Sequence, residues 1–164
     1  MDVLLVSVNR EKTPYPVFPL GLAYLAGPLA AAGHRLRAVD LCFAEQPDAL
    51  IQETLSSFTP DAVVVSIRNL DNVTWPTARS YLEDIRVTLQ QFRGSAPIIL
   101  GGSGYSLMPR ELLDRLEAEF GVVGEGEAVL PRVLERLARG ESPIGLPGVL
   151  VRGEEGHLPP QPLE

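Results

Sequence analysis

Three stretches open from a short apolar run into hydrogen-bonding groups, two of them with glycines: VVVSIRNLDN (63–72), IILGGSGYSLMP (98–109) and VVGEGE (122–127). In the first, Ser66, Arg68, Asn69 and Asp71 supply a hydroxyl, a guanidinium, an amide and a carboxylate, with Leu70 among them as an apolar contact. Such groups orient a bound molecule without reacting with it. In the second, Gly101, Gly102 and Gly104 permit close backbone approach, and Ser103 and Tyr105 add hydroxyls. In the third, Gly124, Glu125 and Gly126 combine a pliable backbone with a carboxylate. No spacing brings a base and a nucleophile together, so the chemistry is that of a binding cleft.

Each stretch also has a plainer reading. Glycines commonly punctuate strand ends, so Gly101–Gly102 alone is compatible with an ordinary turn. Arg68 and Asp71 are compatible with a solvated ion pair contributing roughly 0–1 kcal/mol. Glu125 and Glu127 suit a helix start, where carboxylates meet the positive end of the dipole, and they would repel a phosphate. Nucleotide signatures are missing: there is no GxxxxGK[ST] and no GxGxxG after the first strand. A phosphoacceptor receiver is disfavoured, because the third strand ends in Ser66 where such a fold needs an aspartate. His34 reads as a surface residue at the opposite edge, His157 as part of the tail, and Cys42 as a buried spectator. Trp75 reads as loop packing in preference to a cofactor stacker.

Composition narrows the class. The 164 residues fit one compact domain, with 45% hydrophobic and 21% charged residues. A net charge of −7 argues against a nucleic-acid partner. With one cysteine the chain holds neither a disulfide framework nor a cysteine-ligated iron–sulfur cluster. The N-terminal MDVLLVSVNR lacks a basic n-region, and the longest apolar run, GLAYLAGPLAAAG (21–33), is too short to span a bilayer. The expected location is the cytoplasm, with no membrane span.

The elements that must position these loops alternate regularly. Strands are expected at Val3–Val8, Arg35–Val39, Asp61–Ile67, Ile98–Leu100 and Phe120–Val123. Helices are expected over 20–32, 47–58, from Pro76 through Phe92, from Pro109, and after GEGE with Pro131 in the first turn. Apolar residues on both faces of the strands call for helices on both sides. The expectation is an α/β, doubly wound five-stranded parallel sheet of order 2-1-3-4-5, flavodoxin-like or Rossmann-like. In such a sheet the three loops share the carboxyl edge. Residues 1–140 form this domain; 141–164 read as a short strand or hairpin (Val149–Arg152, with GEEG as a turn) and a proline-rich linker. A chain that stops in a linker reads as the front piece of something longer.

In order and spacing, PLGLAYLAGPLAAAGHRLRAVD (19–40), PDAVVVSIRNLDN (60–72), PIILGGSGYSLMPRELL (97–113) and FGVVGEGEAVLPRVLERL (120–137) resemble the N-terminal cobalamin-binding domain of cobalamin-dependent radical S-adenosylmethionine proteins. The resemblance covers nearly the whole chain, including PGVLVR (147–152), which in that family leads toward the radical domain. It implies cobalamin on the carboxyl edge with its nucleotide tail between strands and helices. It also implies Ser66 at the serine of the SxL motif, with Arg68 replacing the leucine, and Gly101–Gly102 where the tail passes. The loop at 9–19 lacks DxHxxG, so the resemblance implies base-off cobalamin with no protein histidine on cobalt. A side chain from that loop or from 68–71 would face the lower side of the corrin.

CxxxCxxC is absent, so S-adenosylmethionine and a [4Fe–4S] cluster belong only to a longer parent, expected to be a methyltransferase or a cyclase type. The expected partners are cobalamin and a C-terminal radical S-adenosylmethionine domain. The alternative is a degenerate flavodoxin-like domain with a structural role. Its signature would be a closed carboxyl edge, with Tyr105 or Leu70 packed into the tail channel. A third reading, an enzyme acting alone on a small substrate, lacks a catalytic pair.

Overall fold

The computed structural model describes residues 1–72, 74–155 and 158–160. His157, Gly156 of the expected GEEG turn and the last four residues of the expected linker lie outside them.

Six strands form one sheet: β1 (Asp2–Ser7), β2 (Arg35–Asp40), β3 (Ala62–Ser66), β4 (Ile98–Gly101), β5 (Phe120–Val122) and β6 (Val149–Val151). Their spatial order is β2-β1-β3-β4-β5-β6. The first five are parallel in the expected order. The sixth is the expected C-terminal strand; it runs antiparallel along β5 and covers what would be an open edge.

Alternation along the strands divides the core into two layers. Val3 and Leu5 of β1, Val64 of β3 and Ile99 of β4 pack under α1 (Leu20–Ala31) and α6 (Leu130–Ala138). Leu4, Val6, Val63, Val65 and Leu100 pack under α2 (Pro47–Ser57), α3 (Leu82–Gln90) and α5 (Pro109–Arg115). Successive strand residues point to opposite faces, so both sets are buried. Pro28 lies inside α1, Pro131 in the first turn of α6, and Gly33 follows α1 with φ of 83°.

Three local expectations fail. The helix expected from Pro76 begins only at Leu82. Residues 70–72 and 79–81 instead form a hydrogen-bonded stem: Tyr81 N–H donates to the Leu70 carbonyl at 2.8 Å, Asn72 N–H to the Arg79 carbonyl at 3.1 Å, and Asp71 bridges Ser80. The Asn72 side chain completes it, accepting from Arg79 N–H at 2.8 Å and donating to the Thr77 carbonyl at 3.0 Å. That local pairing outweighs helix propensity. The second failure is at 101–106, expected as a loop. A short helix, α4 (Ser103–Leu107), forms there. Trp75, expected to pack within its loop, is 91% exposed.

Candidate functional site

A transverse row of small side chains crosses the carboxyl end of the sheet. Ser7 of β1 is in register with Ser66 of β3, and Ser66 with Gly101 of β4. In-register residues of parallel strands share a face, here the α1/α6 side. Large residues on this row would fill the gap between the sheet and those helices. Small ones leave a cavity of about 710 Å³, within the roughly 300–1,000 Å³ typical of small-molecule sites. Its interior is apolar, with Val64, Ile99 and Val122 on the sheet side and Leu22, Leu25 and Leu130 on the helix side. Polar groups gather at the rim: Asn9, Ser66, Arg68, Ser103, Ser106 and Glu125.

The expected site residues separate into two groups. Ser66, Arg68, Gly101, Gly102, Ser103, Gly124, Glu125 and Gly126 line this cavity. Asn69, Leu70, Asp71, Gly104 and Tyr105 do not. Asn69 lines a second, polar cavity of about 400 Å³ beside it. Leu70 packs against the opposite core layer, and Asp71 belongs to the stem of 70–72 and 79–81. Tyr105, read from sequence as part of a ligand wall, is wholly buried in that opposite layer. A Cβ on Gly121 would stand 1.7 Å from its hydroxyl, so Gly121 of β5 makes room for the ring. Burial holds the phenol well above its ordinary pKa, and its oxygen has no hydrogen-bond partner among the described residues. Neither Tyr105 nor Leu70 plugs the cavity.

The glycines also divide. Gly102 adopts φ of 99° and ψ of 168°, and a Cβ there would lie 2.6 Å from the Ile67 carbonyl oxygen. At Gly104 the nearest atom would be the Arg68 carbonyl oxygen at 2.7 Å. Both let α4 press on the end of β3, where the Ile67 carbonyl accepts from Gly104 N–H at 2.9 Å and Tyr105 N–H at 3.3 Å. Those amides are spent on the fold. Gly101 differs: its Cβ would meet only the Val122 carbonyl oxygen, at 3.7 Å, so its missing side chain leaves the cavity open. Ser106 ties the rim together, donating to the Gly102 carbonyl at 3.0 Å and accepting from Gly124 N–H at 3.1 Å.

Three rim residues escaped sequence reasoning, Ser106 among them. Ser7 ends a strand that reads as a uniform apolar run, so only the register reveals its place. Asn9 follows it and lines both cavities. Nearby, the Tyr81 hydroxyl donates to the Glu11 carboxylate, linking the loop after β1 to the start of α3. Burial and that carboxylate push the Tyr81 pKa up to about 12, while the phenol's hydrogen bond holds Glu11 below its ordinary value. Cys42 is 2% exposed, and burial raises its thiol pKa. His34 follows α1 at the far edge, and burial lowers its pKa.

The B12-binding domain model matches residues 6–134, a span that contains the row, both cavity walls and the first half of α6. The chain belongs to the B12-binding domain family. It is 30% identical over 156 residues to tryptophan 2-C-methyltransferase of Streptomyces laurentii, covering 92% of this chain and 26% of that protein. It is 34% identical over 143 residues to hopanoid C-3 methylase of Methylococcus capsulatus, covering 86% of this chain and 26% of the relative. The chain thus spans about a quarter of the length of these curated relatives. Among solved structures, the radical S-adenosylmethionine methyltransferase TsrM of Kitasatospora setae, with cobalamin and a [4Fe–4S] cluster bound, superposes with a TM-score of 0.88 at 30% identity. That match covers all of this chain and 30% of TsrM. The cobalamin-dependent radical enzyme OxsB, at 20% identity and a TM-score of 0.73 over 99% of this chain and 22% of its own, shares the fold.

The residues present fit the cofactor of the family. A flat, apolar benzimidazole suits the Val–Ile–Leu interior, and a sugar–phosphate linker suits the hydroxyls and Arg68 at the rim. The Asn9 Oδ1 is buried without a partner among the described residues, which leaves an acceptor open to a donor from a ligand. No helix among the described residues is long and apolar enough to cross a membrane.

Proposed function

We propose that this B12-binding domain holds cobalamin with its nucleotide tail in the slot between the sheet and α1/α6, and the corrin over the carboxyl edge. The observation that carries the reading is the row Ser7–Ser66–Gly101, which keeps an apolar slot open at the topological switch of the sheet. Ser66, Ser103 and Arg68 hold the linker at the rim, and Gly101 and Gly126 leave the tail its path. Gly102, Gly104, Tyr105 and the 69–71 segment shape the walls from behind. No histidine stands on the loop between β1 and α1, so that loop offers no imidazole to the lower face of the corrin. In this reading Arg68, exposed at the rim, faces it; its exposure and its place in the cavity lining support the assignment.

Bound cobalamin supplies methyl-carrying cobalt chemistry, and the protein's own part is to bind, orient and shield it. We infer further that the domain works beside a radical S-adenosylmethionine domain in methyl transfer. Both curated relatives are methyl-transferring proteins of about four times this length. The upper surface has the character of a covered face: Tyr15 and Phe18 after β1, Phe43 after β2, Trp75 after β3 and Leu107 after β4 are all exposed. The test is uptake of hydroxocobalamin by equilibrium dialysis, followed by its visible spectrum. The expected result is retention with a base-off spectrum. Absence of retention at high micromolar concentration would refute the reading.

A further inference from the structure

Asn9 is the second residue beyond β1, 8% exposed, and stands where the two carboxyl-edge cavities meet. On one side lies the apolar slot with Ser7 and Ser66; on the other lie Arg10, Glu11, Asn69, Asn72 and Tyr81. Neighbouring polar groups find partners within the protein. Tyr81 donates to Glu11, Asn72 caps the stem of 70–72 and 79–81, and Ser106 joins Gly102 to Gly124. The Asn9 Oδ1 finds none among the described residues. A buried acceptor without a partner destabilises the fold unless something else supplies a hydrogen. An apolar side chain of the same size would relieve that cost and fit among Val8 and Val64. Asparagine at this position therefore makes physical sense as a group completed by a ligand.

We propose that Asn9 is a recognition residue for the bound corrinoid, accepting a hydrogen bond from one of its N–H or O–H groups at the junction of the two cavities. The inference rests on the cobalamin reading and deepens it. A corrinoid offers two sources of such a donor: carboxamides around the macrocycle and hydroxyls on the nucleotide tail. The role also confers selectivity. A corrinoid carrying a carboxylate in place of the contacting amide would set acceptor against acceptor and be rejected.

The experiment compares wild type, Asn9→Leu and Asn9→Asp in hydroxocobalamin and cobinamide binding, alongside thermal unfolding of each without ligand. Asn9→Leu is expected to weaken cobalamin binding by about ten- to a hundredfold, the effect of one lost buried hydrogen bond. Its ligand-free melting temperature is expected to stay level or rise, because the orphan acceptor is gone. Asn9→Asp keeps an acceptor and restores most of the affinity. A Leu penalty that persists with cobinamide assigns the donor to the macrocycle; one seen only with cobalamin assigns it to the tail. Equal affinity of Asn9→Leu and wild type overturns the inference and leaves the cobalamin reading standing. So does a drop in ligand-free stability that accounts for the loss, or an Asp variant as weak as Leu. Failure of the wild type to bind either corrinoid overturns both.

Discussion

At Gly101 a methyl group would meet only the Val122 carbonyl oxygen, whereas at Gly102 it would strike the Ile67 backbone. Adjacent glycines thus do different work, which a sequence reading that treats them as a pair does not separate. Gly101→Phe should fill the slot, leave the melting temperature within a few degrees of wild type and lower hydroxocobalamin uptake at least about tenfold, as read by dialysis and thermal scans. Gly102→Ala should instead destabilise the domain by about 1–3 kcal/mol in denaturant titration, because its backbone lies in a region open essentially to glycine alone. Tyr105 carries a similar lesson. Its place in GGSGYS made it look like a ligand contact, yet the short helix α4 turns the ring into the far core layer, above Gly121. Tyr105→Phe should leave stability unchanged or raise it by up to about 1 kcal/mol, since the lost hydroxyl has no partner among the described residues. Chemical denaturation checks it, and a large loss would show that the hydroxyl is satisfied in solution.

Among the elements, strand positions and order were legible from sequence because short apolar runs between glycine and proline signals leave few alternatives. The start of α3 was not. Pro76 and the apolar positions after it suit a helix, but the Asn72 side chain and the Asp71–Ser80 bridge hold residues 70–72 and 79–81 as a paired stem. Such pairing across a loop leaves no periodic trace. The stem leads into α3 at Tyr81, whose hydroxyl bonds Glu11. That bond has a pH window. Glu11 titrates below its ordinary 4.5, so its contribution is present above that value and is lost as pH falls through the lowered one. Tyr81 is raised from 10.0 to about 12, so its contribution is complete below pH 10 and is lost as pH climbs toward 12. Wild type should therefore lose more thermal stability than Tyr81→Phe on acidification below pH 4.5 and on alkalinisation above pH 10. Parallel melting curves at both ends would expose a bond that does not matter.

For the molecule as a whole, the decisive features arise from register. Ser7, Ser66 and Gly101 lie 59 and 35 positions apart in sequence, and only parallel pairing brings them into one row. The sequence identified Ser66 and Gly101 through their strand ends, but Ser7 and Asn9 were hidden inside an apolar-looking first strand and its exit. The central physical claim is that this row holds open a slot for the nucleotide tail of cobalamin. A direct measurement is the ratio of dissociation constants for cobinamide and hydroxocobalamin on the wild-type chain, since cobinamide keeps the macrocycle and lacks the nucleotide. If the slot takes the tail, cobalamin binds at least about tenfold more tightly, a difference of about 1.4 kcal/mol, and Gly101→Phe erases the preference. Equal affinity for the two corrinoids, or a preference untouched by Gly101→Phe, would contradict the account.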